Sequence, residues 1–287
     1  ENGQTGELYI DPRNIVINNA ATTSMTSNVD SGTNTYSPTN NSAILNVTNL
    51  QDALALNNVT VTTADGGAGT QAGNLTVDSD IDIDQANGNT LTLHADNILS
   101  INADIEDKTA NGTTGSANIV LDATQDIQMN TGTVIDAGNG QITVTTTNGD
   151  LVVTQLESDF ADGAAVDINV GGSIIDGNDT ANNIILNGEN AELSMIAGSV
   201  IELLEGDIDI LTAEAQDVKG FDKTVAGDLQ ISRVTSSASP LAGFTATTLN
   251  GDIVVRGKTA ETNPGIDIGS DGRLALDVGG SNDLLIE

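Results

Sequence analysis

Four aspartates in the stretch DSDIDID, namely Asp78, Asp80, Asp82 and Asp84, occupy alternate positions. In an extended strand that spacing sends all four carboxylates to one side. Carboxylate oxygens are the ligands hard cations prefer, so this run is the candidate metal site, with calcium as the ion. A flat row is not the oxygen cage that calcium requires, and no EF-hand loop occurs in the chain. The competing reading is a solvated acidic face, and the overall composition favours it.

Other residue types offer less. The stretches GGAGTQAGNL (Gly66 to Leu75) and GGSNDLLI (Gly279 to Ile286) resemble the calcium-binding nonapeptide of β-rolls. The first lacks the ligand aspartate, and the second is a single imperfect copy. Polysaccharide cleavage on a strand-rich scaffold needs clustered carboxylates beside Lys or Arg, often with aromatic platforms for sugars. The eight basic residues are scattered, and Arg256 with Lys258 is the one close pair outside a break in the pattern. No catalytic residues and no cofactor-binding residues are therefore assigned, and the chain is not expected to be an enzyme. His94 is the single histidine, so neither a His-based metal site nor a Ser-His-Asp triad can be assembled. It alternates outward from Leu91 and Leu93. Threonine runs such as ITVTTT (Ile142 to Thr147) suggest an ice-binding face, but the regular Thr-x-Thr rank is not sustained over successive units, and ordinary β-propensity accounts for them. The Asn-x-Thr triplets at Asn46, Asn58, Asn74 and Asn178 follow from composition alone.

Bulk composition narrows the class. Forty-one acidic residues stand against eight basic ones, a formal net charge of −33. Nucleic-acid binding needs a basic face to neutralise phosphates, and an anionic membrane surface would repel this chain, so neither partner is expected. Cysteine is absent, which excludes disulfides, thiol catalysis and Cys-ligated zinc. No apolar run approaches the roughly 20 residues of a membrane span. The chain opens at Glu1 without Met or a signal-like segment, and the expectation is a processed or excised part of something longer. Only five residues are aromatic, so Leu, Ile and Val must build the core.

The elements that would carry any site are short repeated strands. GDIDIL from Gly206, GDLQIS from Gly227, GDIVVR from Gly251 and GRLALD from Gly272 restart one pattern, at steps of 21, 24 and 21 residues. Similar units are NLTVDSDIDID from Asn74, NTLTLHADNILSINADI from Asn89, ANIVLDATQDIQM from Ala117 and GQITVTTTNGDLVV from Gly140. Alternation of apolar and polar residues indicates strands, and the bounding Asn, Gly and Asp indicate turns. A strand this short cannot bury its apolar face alone, but stacked coils can bury equivalent strands on one another. The expected fold is all-β: one parallel β-helix (β-solenoid) over residues 1–287, with coils of about 21 residues. LQDALAL (Leu50 to Leu56) is the one helix-like stretch. Three breaks are expected to leave the rod: a polar loop over residues 18–42, and corner-loop insertions over 215–227 and 236–251.

At GELYIDPRNIVI (Gly6 to Ile17) the chain resembles the segment that follows the secretion domain of filamentous-haemagglutinin-like exoproteins, exported by two-partner secretion. The similarity continues through ILNVTNLQDALALNNVTVTT (Ile44 to Thr63) and is sharpest over Gly73 to Ile105. There the family's ordered strands correspond to Asn58-Val59-Thr60, Gly73-Asn74-Leu75 and Leu91-Thr92-Leu93-His94-Ala95. Beyond Leu151 the match loosens to generic repeats. The resemblance implies a right-handed β-helical shaft of a large secreted bacterial surface protein, with attachment or filament formation as its role. The stretch NDLLIE ends on apolar strand residues that invite strand addition, so neighbouring β-helix segments or identical subunits stacked end to end are the expected partners, together with a cell-surface or matrix ligand. The implied location is extracellular, at the cell surface.

Overall fold

The computed structural model describes residues 13–64, 70–106, 116–161, 163–178, 181–236, 244–248 and 252–255, and the backbone of strands 265–267, 274–278 and 284–286. Strands make up 57% of the described residues and helix 4%, so the all-β expectation holds. They stack as a β-solenoid of about 9 turns, about 24 residues apart. At about 4.8 Å per turn that is a rod roughly 45 Å long.

Through most of its length the coil has three sides. A front strand (Thr90–Ala95, for example) leads to a flank strand (Leu99–Ile101) and then a rear strand (Ile105–Glu106). Each strand pairs in parallel with its equivalents in the neighbouring turns. On the front, Val59, Leu91, Ile119, Ile142, Val166 and Leu193 stand in one inward register. On the flank the register runs through Ile15, Leu75, Leu99, Ile127, Leu151 and Ile174. On the rear it runs through Ile81, Ile105, Ile135, Leu156 and Ile184. All of these are buried to 1% exposure or less and belong to one continuous core. Each such side chain contributes about 1.5–3 kcal/mol on burial, and its position is repeated turn after turn.

The cross-section then changes. Strand Val200–Asp207 pairs at its start with the flank, Ile201 opposite Ile174, and at its end with the rear, Gly206 opposite Ile184. Flank and rear thus merge into one long strand, and the coils that follow have two sides. This explains the difference between the expected and observed repeat. The 21-residue step from Gly206 was measured where the coil is shortest, whereas the three-sided coils need an extra corner.

The expected polar loop over residues 18–42 is corrected by the structure. Met25–Asp30 and Thr33–Pro38 form an antiparallel hairpin, and Thr33–Pro38 joins the front sheet in parallel with Asn58–Thr62. Its inward positions are Asn34, Tyr36 and Pro38, so the alternation is real but carries none of the aliphatic residues that announce a strand. The expected insertion over 215–227 is also a strand of the rod, Asp217–Lys223, with Val218, Phe221 and Lys223 buried. A charged residue at a core position, Lys223, breaks the apolar alternation there. In the third break, Phe244–Thr248 pairs with Asp217–Lys223, while 237–243 and 249–251 lie outside the described residues. Phe221 and Phe244 are buried and join the aliphatic residues in the core. Phe221 has Ala246 opposite it in the next turn, which leaves room for the ring.

One helix, Val47–Leu54, takes the place of the rear strand in the first turn and buries Val47, Leu50, Ala53 and Leu54. It covers the end of the core beside the first rear strand, where Gln51 Nε2 donates to the Asp82 carbonyl. The Asn46 side chain starts it by accepting from the N–H groups of Thr48 and Asn49. Its Nδ2 donates to the carbonyls of Asn19 and Ala20, tying the helix to the chain's first corner. Asn46→Ala is expected to cost about 1–2 kcal/mol, read as a lower midpoint in urea unfolding with an unchanged slope.

Candidate functional site

Asn and Asp cluster at the corners, where the backbone turns and its N–H groups lose their strand partners. The side chain of one turn accepts from the backbone of the next. Asn14 Oδ1 accepts from the N–H groups of Gly73 (3.1 Å) and Asn74 (2.9 Å). At the same corner further along, Asp126 Oδ1 accepts from Asp150 N (3.0 Å), and Asp150 Oδ1 from Ser173 N (2.6 Å). Much of the acidity is therefore structural: these carboxylates join turn to turn.

The candidate aspartates are placed within this scheme. Asp78 and Asp80 flank a bend at Ser79, and only Asp82 lies in the rear strand Ile81–Asp82. Asp78 Oδ1 accepts from Asn102 Nδ2 at 2.7 Å, and Asp80 Oδ1 from Asp104 N at 3.4 Å. Asp82 Oδ1 accepts from Asp84 N at 2.9 Å. The expected single row of four along one strand is thus broken by a corner. Among the described residues no three His, Asp or Glu side chains are grouped so as to hold a metal ion.

The structure forms a different row, running across the turns. On the rear face Asp82, Glu106, Asp136 and Glu157 stand in register, one per turn. Like charges directly opposite one another in a sheet are destabilising. The signal is present in sequence: four successive rear strands have an acid directly after the inward aliphatic residue, as Ile81-Asp82, Ile105-Glu106, Ile135-Asp136 and Leu156-Glu157, and the row ends at Ile184-Ile185. It was missed because the turns differ in length, so the acids recur at no fixed step. Glu106→Gln is expected to stabilise the rod by about 0.5 kcal/mol in low salt. In 1 M NaCl the screening length falls to about 3 Å, so the gain should vanish there, as thermal melts at the two salt concentrations would report.

Each described basic side chain is already engaged. Arg13 Nη1 donates to the Pro38 carbonyl, Lys219 pairs with Asp217, and Arg233 pairs with Glu214. Lys223 is 2% exposed, and its Nζ donates to Asp207 Oδ1 (2.7 Å) and the Ile208 carbonyl (2.6 Å). Arg256 and Lys258 lie outside the described residues. His94 faces outward as expected, with Nδ1 2.7 Å from Asp122 Oδ2 and Nε2 3.8 Å from Asp96 Oδ1.

The hairpin and helix frame a shallow groove lined by Met25, Tyr36, Asn49, Asp52 and Leu56. Burial pushes the Tyr36 phenol above its ordinary range, with the nearby Asp52 carboxylate adding to the shift and a side-chain hydrogen bond with Asn34 opposing it. The Tyr36 hydroxyl donates to the Asn49 carbonyl at 3.2 Å, which fixes the helix to the front sheet. No family model, curated protein or solved structure matches this chain.

Proposed function

We propose that the chain is a structural, adhesive shaft of a large secreted bacterial surface protein, acting outside the cell in attachment or filament formation. The observation that supports this reading best is the continuous aliphatic core, unbroken through the change from three-sided to two-sided coils. Such a core resists bending and extends a surface protein by simple repetition. The chemistry of the outside agrees: the described cations are spent on internal partners, and the carboxylates are spread along corners and the rear face. The shaft works through its sides and whatever it carries, with a cell-surface or matrix ligand as the object of attachment.

End-to-end stacking of identical subunits is the second reading. The helix Val47–Leu54 weighs against it, because it covers the core where another turn's rear strand would have to pair. Incubation with a panel of acidic and neutral polysaccharides tests the first reading against a β-helical lyase or hydrolase. Unchanged substrate is expected, and release of reducing or unsaturated sugar would overturn the assignment.

A further inference from the structure

Among the described residues Lys223 is the one buried basic side chain. It ends strand Asp217–Lys223, on the inward face that also carries Phe221, and stands opposite Gly206 of the preceding turn. Its Nζ reaches Asp207 Oδ1 at 2.7 Å and the Ile208 carbonyl at 2.6 Å, both in that turn. A second carboxylate oxygen, Asp209 Oδ1, lies 3.8 Å from the same nitrogen. The three side chains differ in exposure: 3% for Lys223, 25% for Asp207 and 50% for Asp209. Surface lysine pairs are made by mobile side chains and contribute little. Here register fixes the backbone and the Ile208 carbonyl holds one N–H of the ammonium. A Cβ at Gly227 would lie 3.4 Å from Lys223 Cε, so the chain also closes over the end of the side chain. A nucleophile, an electrophile and a proton carrier are therefore held at one point between two turns.

We propose that Lys223 and Asp207 condense to an intramolecular amide, a covalent rung between two turns. Proton transfer within the ion pair gives a neutral amine beside a neutral carboxyl group, and burial favours that form because a desolvated charge is costly. Nζ then attacks Cγ of Asp207, whose Oδ1 it already touches, so little motion separates the pair from a reactive geometry. Asp209 takes a proton from the attacking nitrogen and returns it to the departing oxygen, and its exposure lets it exchange that proton with water. One Nζ–Cγ bond forms and one Cγ–O bond breaks. Of the three ammonium hydrogens, one stays on the amide nitrogen and two leave with the oxygen as water. One positive and one negative charge disappear together, so the net charge is unchanged and no further reactant is consumed. The remaining N–H still has the Ile208 carbonyl as its acceptor. The rung lies one strand beyond the merger of flank and rear, and its chemistry does not depend on the chain being a shaft.

The test is the mass of the intact, denatured chain after folding and purification. A deficit of one water is the expected result, with proteolysis yielding a branched peptide that joins the strands of Asp207 and Lys223. Lys223→Arg should restore the full mass, since a guanidinium cannot make this bond, and the reading holds whether or not that variant folds. Asp209→Asn, at a half-exposed position, should keep the native circular dichroism spectrum and lower the linked fraction several-fold. Full mass for the unaltered chain would overturn the proposal. So would a water deficit that persists in Lys223→Arg, because the loss would then have arisen elsewhere in the chain. An unchanged linked fraction in Asp209→Asn would overturn the proton route.

Discussion

Replacing Gly206 with alanine is expected to lower the melting temperature by about 10 °C, from a loss of about 3 kcal/mol. Gly206 is the point where the merged strand passes onto the rear sheet opposite Ile184. A Cβ there would lie 1.8 Å from the Ile184 carbonyl oxygen and 2.8 Å from its carbon. Both are backbone atoms held in the ladder, so relief requires the turns to separate. Because each turn contacts only its neighbours, the damage should stay local. Hydrogen exchange should show protection lost around Ile184–Leu186 and Val200–Asp207 first, with the front strands near Leu91 little changed. Full retention of the melting temperature would show that the turns are less tightly stacked than described.

Lys223→Met is the second large effect, expected at about 2–3 kcal/mol. In the rear register Lys223 follows Gly206, and its buried side chain reaches Asp207 and the Ile208 carbonyl, the two residues after Gly206 in the neighbouring turn. Methionine fills the stem's volume but leaves the Ile208 carbonyl without this donor. Asp207, whose side chain is 25% exposed, can recover water, so the carbonyl accounts for most of the loss. Lys223→Arg should fare no better, since a planar guanidinium does not fit a site shaped for a compact ammonium. A double variant that also carries Asp207→Asn should lose less than the sum of the two single losses, as expected for residues that share an interaction. Strict additivity in urea melts would contradict the pairing.

The general architecture was legible because aliphatic alternation repeats between turn residues, as in Leu75–Val77 and Leu99–Ile101. What escaped were strands whose inward residues are not aliphatic. Thr33–Pro38 buries Asn, Tyr and Pro, and Asp217–Lys223 buries a lysine, so hydrophobic patterning placed both outside the rod. The helix was found from its apolar spacing, although its place as a substitute for a rear strand depends on contacts distant in sequence. The lateral ranks were illegible for another reason. Asp82 and Glu106 become neighbours only through register, as do Thr60 and Thr92, and turns of unequal length conceal register from any fixed-step reading. The candidate aspartates were chosen along the chain, whereas in a solenoid the chemically meaningful direction runs across it.

Small-angle X-ray scattering of the purified chain, with and without millimolar calcium, tests the central claim most directly. A monomeric shaft predicts one rod in both conditions, with a maximum dimension close to the roughly 45 Å of about 9 stacked turns plus its loops. Scattering that grows into long fibres of uniform cross-section would contradict it and make the chain a polymerising subunit, with calcium dependence assigning the joints to carboxylates.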